Sequence, residues 1–235
     1  MKIALLVCDD SNRTFPHASG SYVDMFTQLF SEIDHEVELV AFEMQRKEFP
    51  EDISSFDGFL STGGSNSVYE DLPWIDAMKS FVAKLYVEKQ KYFGVCFGHQ
   101  IIAEALGGKV EKAKEGWMVG VKETEITKIQ PWMKPAKTLF KLISSHKDQI
   151  VKLPPNAETI GLYQGCNCSV LKLEDHFVGV QGHPEFKKEY AQPLMESRKD
   201  IIPTEVIEVA RASFASSPDH KLLATWSYNF FKEKG

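Results

Sequence analysis

The sequence of 235 residues contains no apolar run approaching the length of a bilayer span. It also has no block of Lys or Arg. With 27 basic against 33 acidic side chains the net charge is −6, so the concentrated basic face that a nucleic-acid backbone requires is missing. Two short basic stretches, KKEY (187–190) and MKPAKTLFK (133–141), read as solvated helix or loop faces. Cysteine is scarce and scattered: Cys8, Cys96, Cys166 and Cys168. The first residues, MKIALLVCDD, are too short and too soon acidic for a secretory signal. Together these point to a reducing cytoplasm, no disulfide framework and no membrane partner. Cys166 and Cys168 lack the C-x-x-C spacing of common zinc or redox sites, and the seven histidines show no H-E-x-x-H pattern. No metal and no cofactor is therefore expected.

What is present is a regular alternation of element types without an internal repeat or a low-complexity linker. KIALLVC (2–8) is a continuous apolar run of the buried parallel-strand type. GSYVDMFTQLFSEI (20–33) has helical spacing, EVELVAF (36–42) and FDGFLST (56–62) are strand-like, and PWIDAMKSFVAKLYVEK (73–89) is an amphipathic helix. KYFGVC (91–96) predicts a strand, and FGHQIIAEAL (97–106) a helix stopped by Gly107-Gly108. This order predicts an α/β fold with a doubly wound, mixed and mostly parallel sheet flanked by helices. Between about 109 and 180 the pattern changes to short strands with turns, which predicts an antiparallel β addition. From 187 onward the chain reads as helical, with Pro203 near a helix start and SSPDHKLLATWSYNFFKE as the last helix. One domain, 1–235, is expected.

FGVCFGHQ (93–100) places Cys96 between Gly94 and Gly98 where a strand turns into a helix. This is the nucleophile-elbow pattern G-x-S-x-G with sulfur in place of oxygen. Such a turn strains its central residue and crowds the positions two before and two after, so both must be tiny. The sulfur then sits at a helix N-terminus, where unpaired N–H groups and the dipole favour a thiolate. The amide of Phe97 points to where an oxyanion would form. The bland alternative is a buried cysteine flanked by chance glycines.

Three further stretches bear on that choice. GVQGHPEF (179–186) ends an apolar strand in His183 and Glu185. Two residues apart on extended chain, they can share one side, which gives a thiol its base and the base its orienting acceptor. FLSTGGS (59–65) leaves the backbone amides of Gly63-Gly64 exposed at a strand end, suited to the second half of an oxyanion hole. SSHKDQI (144–150) offers His146, with Asp148 two residues on, as a competitor for the role of base.

Together these segments resemble the class I glutamine amidotransferases of the Cys-His-Glu triad type. The resemblance implies Cys96 as nucleophile, His183 as base, Glu185 as its orienter, and Gly64 and Phe97 as the oxyanion amides. It further implies that Gly63, Gln100 and the backbone of Ser145 and His146 hold the substrate. A nearer resemblance is to the stand-alone γ-glutamyl peptidases and the GMP-synthase-like amidotransferase domains of this superfamily. It is carried by EFPEDISSFDGFLSTGG, FGVCFGHQII, LEDHFVGVQGHPEF and HKLLATWSYNFFK. The chain departs from the peptidases at Gly64, where some carry Ser and the glutamine-hydrolysing members carry Gly.

The function this implies is hydrolysis of a γ-glutamyl amide through a Cys96 thioester, with glutamine as substrate and ammonia and glutamate as products. The alternative is a γ-glutamyl peptidase acting on glutathione-type peptides or conjugates. Ammonia transfer would require a separate synthetase chain as partner, since no P-loop and no length for a nucleotide-binding domain appear. A non-catalytic binding or regulatory module is the alternative of another class, and filled triad positions weigh against it.

Overall fold

The structure, a computed structural model, describes residues 1–9 and 20–233. Among these, nine strands form one sheet in the order β2-β1-β3-β4-β11-β10-β9-β6-β7. The parallel half comprises β1 (Lys2–Val7), β2 (Glu38–Glu43), β3 (Gly58–Ser61), β4 (Tyr92–Val95) and β11 (Phe177–Val180). The antiparallel half continues from β11 through β10 (Cys166–Leu173), β9 (Ala157–Tyr163), β6 (Met118–Ile126) and β7 (Leu139–His146). A separate two-stranded ribbon pairs β5 (Lys109–Lys112) with β8 (Asp148–Lys152).

The apolar run in β1 is explained by its two faces. Ile3, Leu5 and Val7 enter one core with α1 (Tyr22–Ser31), α4 (Lys188–Ser197), α5 (Thr204–Ser213) and α6 (His220–Lys232). Ala4, Leu6 and Cys8 enter the other with α2 (Pro73–Val87) and α3 (Phe97–Ala105). A strand covered on both faces has no polar register, so alternation vanishes from its sequence.

Local signals set the helix ends. Ser21 and Asp24 form a reciprocal capping box at the start of α1, an arrangement worth about 1 kcal/mol relative to Ala. Pro73 occupies the first turn of α2. Gly107, at φ +89°, ends α3 as expected. The two basic stretches are not solvated faces throughout. In KKEY the Tyr190 side chain is buried. In MKPAKTLFK, Met133 and Phe140 are buried, and Leu139–Lys141 begin β7. The lysines mask an alternation in which Phe140 and Leu142 point inward.

Three strands of the parallel half end at one place. Beyond β3 come Gly63 and Gly64, beyond β4 comes Cys96, and beyond β11 come Gln181 to Glu185. The carboxyl ends of parallel strands are where open α/β sheets present their chemistry. The corner between β7 and β8 reaches the same place from the antiparallel half. The amide of His183 donates to the carbonyl of Ile143 at 2.8 Å and ties the two halves together.

Candidate active site

Cys96 stands between β4 and α3 at φ +50°, ψ −96°, a conformation that L-residues adopt only at a cost of about 1–3 kcal/mol. The surrounding packing enforces it. A Cβ at Gly94 would lie 2.1 Å from the carbonyl oxygen of Gly98, and one at Gly98 would lie 2.5 Å from Ser61 Oγ. The two glycines therefore allow the strand and helix to meet, with Cys96 on the wall of a cavity. Cys96 is 6% exposed.

The His183 ring lies near enough to Cys96 for the sulfur to act on it electrostatically. Its Nδ1 is 2.8 Å from Glu185 Oε1, which leaves Nε2 for the sulfur. The ring is stacked on Phe186 with centroids 3.9 Å apart. Burial pulls the imidazole down, but the Glu185 carboxylate and the sulfur outweigh it and push it up to about 10. The other two histidines nearby behave oppositely. Burial holds His99 down to about 4 and His146 to about 3. Both nitrogens of His146 are taken, Nδ1 by the backbone oxygen of Asp148 at 3.0 Å and Nε2 by the Tyr163 hydroxyl at 2.5 Å. The Asp148 carboxylate does not turn to His146; it accepts from Ser67 Oγ and from the Tyr69 hydroxyl instead.

Two cavities meet here. One, of about 220 Å³, is bounded by Cys96, Phe97, Gln100, Trp117 and His146. The other, of about 290 Å³, is bounded by His183, Tyr22, Phe186, Tyr190 and Asp9. Gly64, Ser65, Ser145 and Arg198 line both. The structure thus brings together Cys96, His183, Glu185, Gly64, Phe97, Gln100, Ser145 and His146. Gly63 takes a different place: it lies against the His183 ring, where a Cβ would be 2.7 Å from Cε1.

Sequence reasoning missed several neighbours. Gln181, fully buried, donates from Nε2 to Cys96 Sγ at 3.5 Å. A polar residue at the mouth of the apolar run FVGV was its one visible signal. Arg198, which donates to Ser145 Oγ at 3.1 Å, comes from beyond α4 and carried none. Among the described residues no group of His, Cys, Asp and Glu is placed to hold a metal ion, and no helix is long and apolar enough to cross a membrane.

Comparison with known proteins bears on the family and the fold. A family model described as glutamine amidotransferase class-I matches residues 17–199. Gamma-glutamyl peptidase 2 of Arabidopsis thaliana is 32% identical over 223 residues, covering 91% of this chain and 88% of the relative. A glutamine-hydrolyzing GMP synthase subunit of Sulfolobus acidocaldarius is 30% identical over 58% of this chain and 71% of its own. A solved glutamine amidotransferase from Thermotoga maritima superposes with a TM-score of 0.75 over 98% of both chains at 17% identity.

Proposed function

The chain belongs to the class I glutamine amidotransferases, and from that premise we propose that it hydrolyses a γ-glutamyl amide bond through a thioester on Cys96. The observation that carries the reading is the His183–Glu185 pair set beside the Cys96 sulfur at a strained elbow. An imidazolium next to the thiol favours the thiolate, which is the nucleophile. Attack on the γ-carbonyl places negative charge on its oxygen, and the amides of Gly64 and Phe97, on the cavity wall with Cys96, are the donors for it. His183 Nε2 gives its proton to the leaving nitrogen. The neutral imidazole then takes a proton from water as the water attacks the thioester, and glutamate leaves with the sulfur restored. Glu185 holds the ring in one orientation and supports its charged form.

The leaving group is read as an amino acid or short peptide. His183 borders the larger cavity, so the group it protonates departs on that side, where there is room for more than ammonia. The match to a gamma-glutamyl peptidase along nearly the whole chain supports this. Glutamine is the second reading, favoured by Gly64 and by the similarity to a glutamine-hydrolysing GMP synthase; under it, ammonia would pass to a separate synthetase chain.

The test is intact-mass measurement of the protein mixed with glutamine and, separately, with glutathione, quenched in acid. A glutamyl adduct that maps to Cys96 and turns over is the expected result, faster with glutathione. No adduct and no glutamate from either substrate would overturn the reading.

A further inference from the structure

We propose that Gln181 is a catalytic residue whose carboxamide N–H group donates to the Cys96 sulfur, and that Gln100 fixes which end of that carboxamide faces the sulfur. This rests on Cys96 being the nucleophile. The orientation follows from hydrogen-bond logic anchored at a backbone atom. The carbonyl oxygen of Asp148 can only accept, so the end of the Gln100 side chain 2.8 Å from it is the NH2 group. That same nitrogen lies 3.1 Å from the Gln181 side chain, so the end of Gln181 facing it is the oxygen. The other end of Gln181, 3.5 Å from Cys96 Sγ, must then be its NH2 group. Gln181 is fully buried, and its own amide is fixed to the carbonyl of Ser169 at 2.8 Å. Flipping the Gln181 carboxamide would set its oxygen against the sulfur and its NH2 group against that of Gln100, so the donor is pre-set.

A donor aimed at sulfur matters in proportion to the charge on it. The bond is weak to a thiol or thioester and strong to a thiolate. It therefore favours the state in which the sulfur is ready to attack, and favours it again when the sulfur is expelled from the thioester. Gln100 lines the cavity and acts on the sulfur through Gln181, as a positioning residue.

Alkylation of Cys96 by iodoacetamide, read by peptide mapping from pH 5 to 9, tests this without any substrate. The wild type is compared with Gln181→Met and Gln100→Met. The titratable and charged groups around Cys96 are His183 beyond β11, Tyr22 on α1, Tyr163 on β9 and, on the wall of the same cavity, His146, Lys147, Asp148 and Arg198, and the variants leave all of them in place. The phenols of Tyr22 and Tyr163, pushed well above their usual range by burial, stay neutral throughout. Losing a hydrogen bond to a charged group should move the half-rise of the alkylation profile up by about one pH unit in Gln181→Met. Gln100→Met should move it in the same direction by less, with the limiting rate at high pH kept within about twofold. Should Gln181→Met not fold, Gln100→Met alone decides. Profiles that superimpose, or that fall by the same factor at every pH, would overturn the proposal. A wild type that alkylates as described but cleaves no γ-glutamyl bond would sink the proposed function and leave the sulfur contact standing.

Discussion

Gly63 and His183 occupy the same space in the sense that matters: a Cβ on Gly63 would lie 2.7 Å from Cε1 of the imidazole. The ring has little room to retreat, because Phe186 is stacked on it at 3.9 Å. Gly63→Ala should therefore displace the ring from Cys96. Misplacement on the scale of 1 Å costs about 10²-fold in rate, and a loss of this order in kcat is expected, with the thermal midpoint lowered by only a few degrees. Activity within twofold of wild type would show that the ring can move without consequence.

The two histidines compared in the sequence separate cleanly by geometry. His183 is bonded to Glu185 and lies beside the Cys96 sulfur, whereas His146 spends both nitrogens on Asp148 and Tyr163. His183→Ala should lower kcat/KM by about 10²–10⁴-fold, the usual worth of a positioned acid–base group. Tyr163→Phe, which removes a partner of His146, should cost less than tenfold. The reverse order would transfer the base role to His146.

Backbone strain at Cys96 gives a stability prediction free of catalysis. Cys96→Ala and Cys96→Gly should both be inactive. At φ +50° alanine keeps the strain and glycine relieves it, so Cys96→Gly should be the more stable by about 1 kcal/mol. Urea titration of the two variants measures it, and equal midpoints would mean the turn is not strained in solution.

The histidines also set a pH profile of stability. His183 is held above its unfolded value of 6.5, at about 10, so the fold binds its proton more tightly than the unfolded chain does. That contribution is full below pH 6.5 and is lost as the pH rises toward 10. His99 and His146 are held down to about 4 and 3. Their neutral forms favour the fold above pH 6.5, and that contribution is lost as the pH falls toward 4 and 3. Stability should thus peak near neutral pH. Glu185→Gln removes the main support of the charged His183, so between pH 7 and 8.5 its stability should decline less with pH than that of the wild type. Parallel declines would contradict the assignment.

Gly64 tests the leaving group. A Cβ added there would meet the carbonyl of Cys8 at 3.4 Å and Phe97 Cγ at 3.5 Å, which leaves space for a serine. Gly64→Ser should fold normally and project its hydroxyl into the wall shared by both cavities. It should lower kcat/KM for glutamine more than for a γ-glutamyl dipeptide, whose leaving residue adds contacts that position the bond. An unchanged ratio would place leaving-group choice elsewhere in the cavities.

Much of this architecture is readable from residue patterns. The parallel half is legible because β1, β3, β4 and β11 are apolar runs buried along nearly their whole length. The elbow is legible because steric crowding dictates glycine at 94 and 98 whatever the rest of the chain does. The strands at 139–152 are not, because lysines and a Ser-Ser-His-Lys-Asp stretch hide an alternation that only the covering helices make sense of. Gly63 enters the sequence reading as a substrate contact only through the family resemblance. That its missing side chain accommodates the ring of His183, far along the chain, is a fact of tertiary packing. Gln181 escapes notice because its meaning depends on Gln100 and Asp148, which the fold alone brings within reach.

The bond from the His183 amide to Ile143 has a consequence for how this fold tolerates changes in chain length. Cys96 is placed by the parallel half, while the imidazole is latched to β7 of the antiparallel half, and only Gln181 and Gly182 separate β11 from His183. Turns at the opposite end of the sheet, such as that between β10 and β11, can gain or lose residues without altering this spacing. An insertion or deletion between Val180 and Glu185 cannot be absorbed, since it must break either the latch or the sheet. That segment, short and without slack, is where natural length variation should stop.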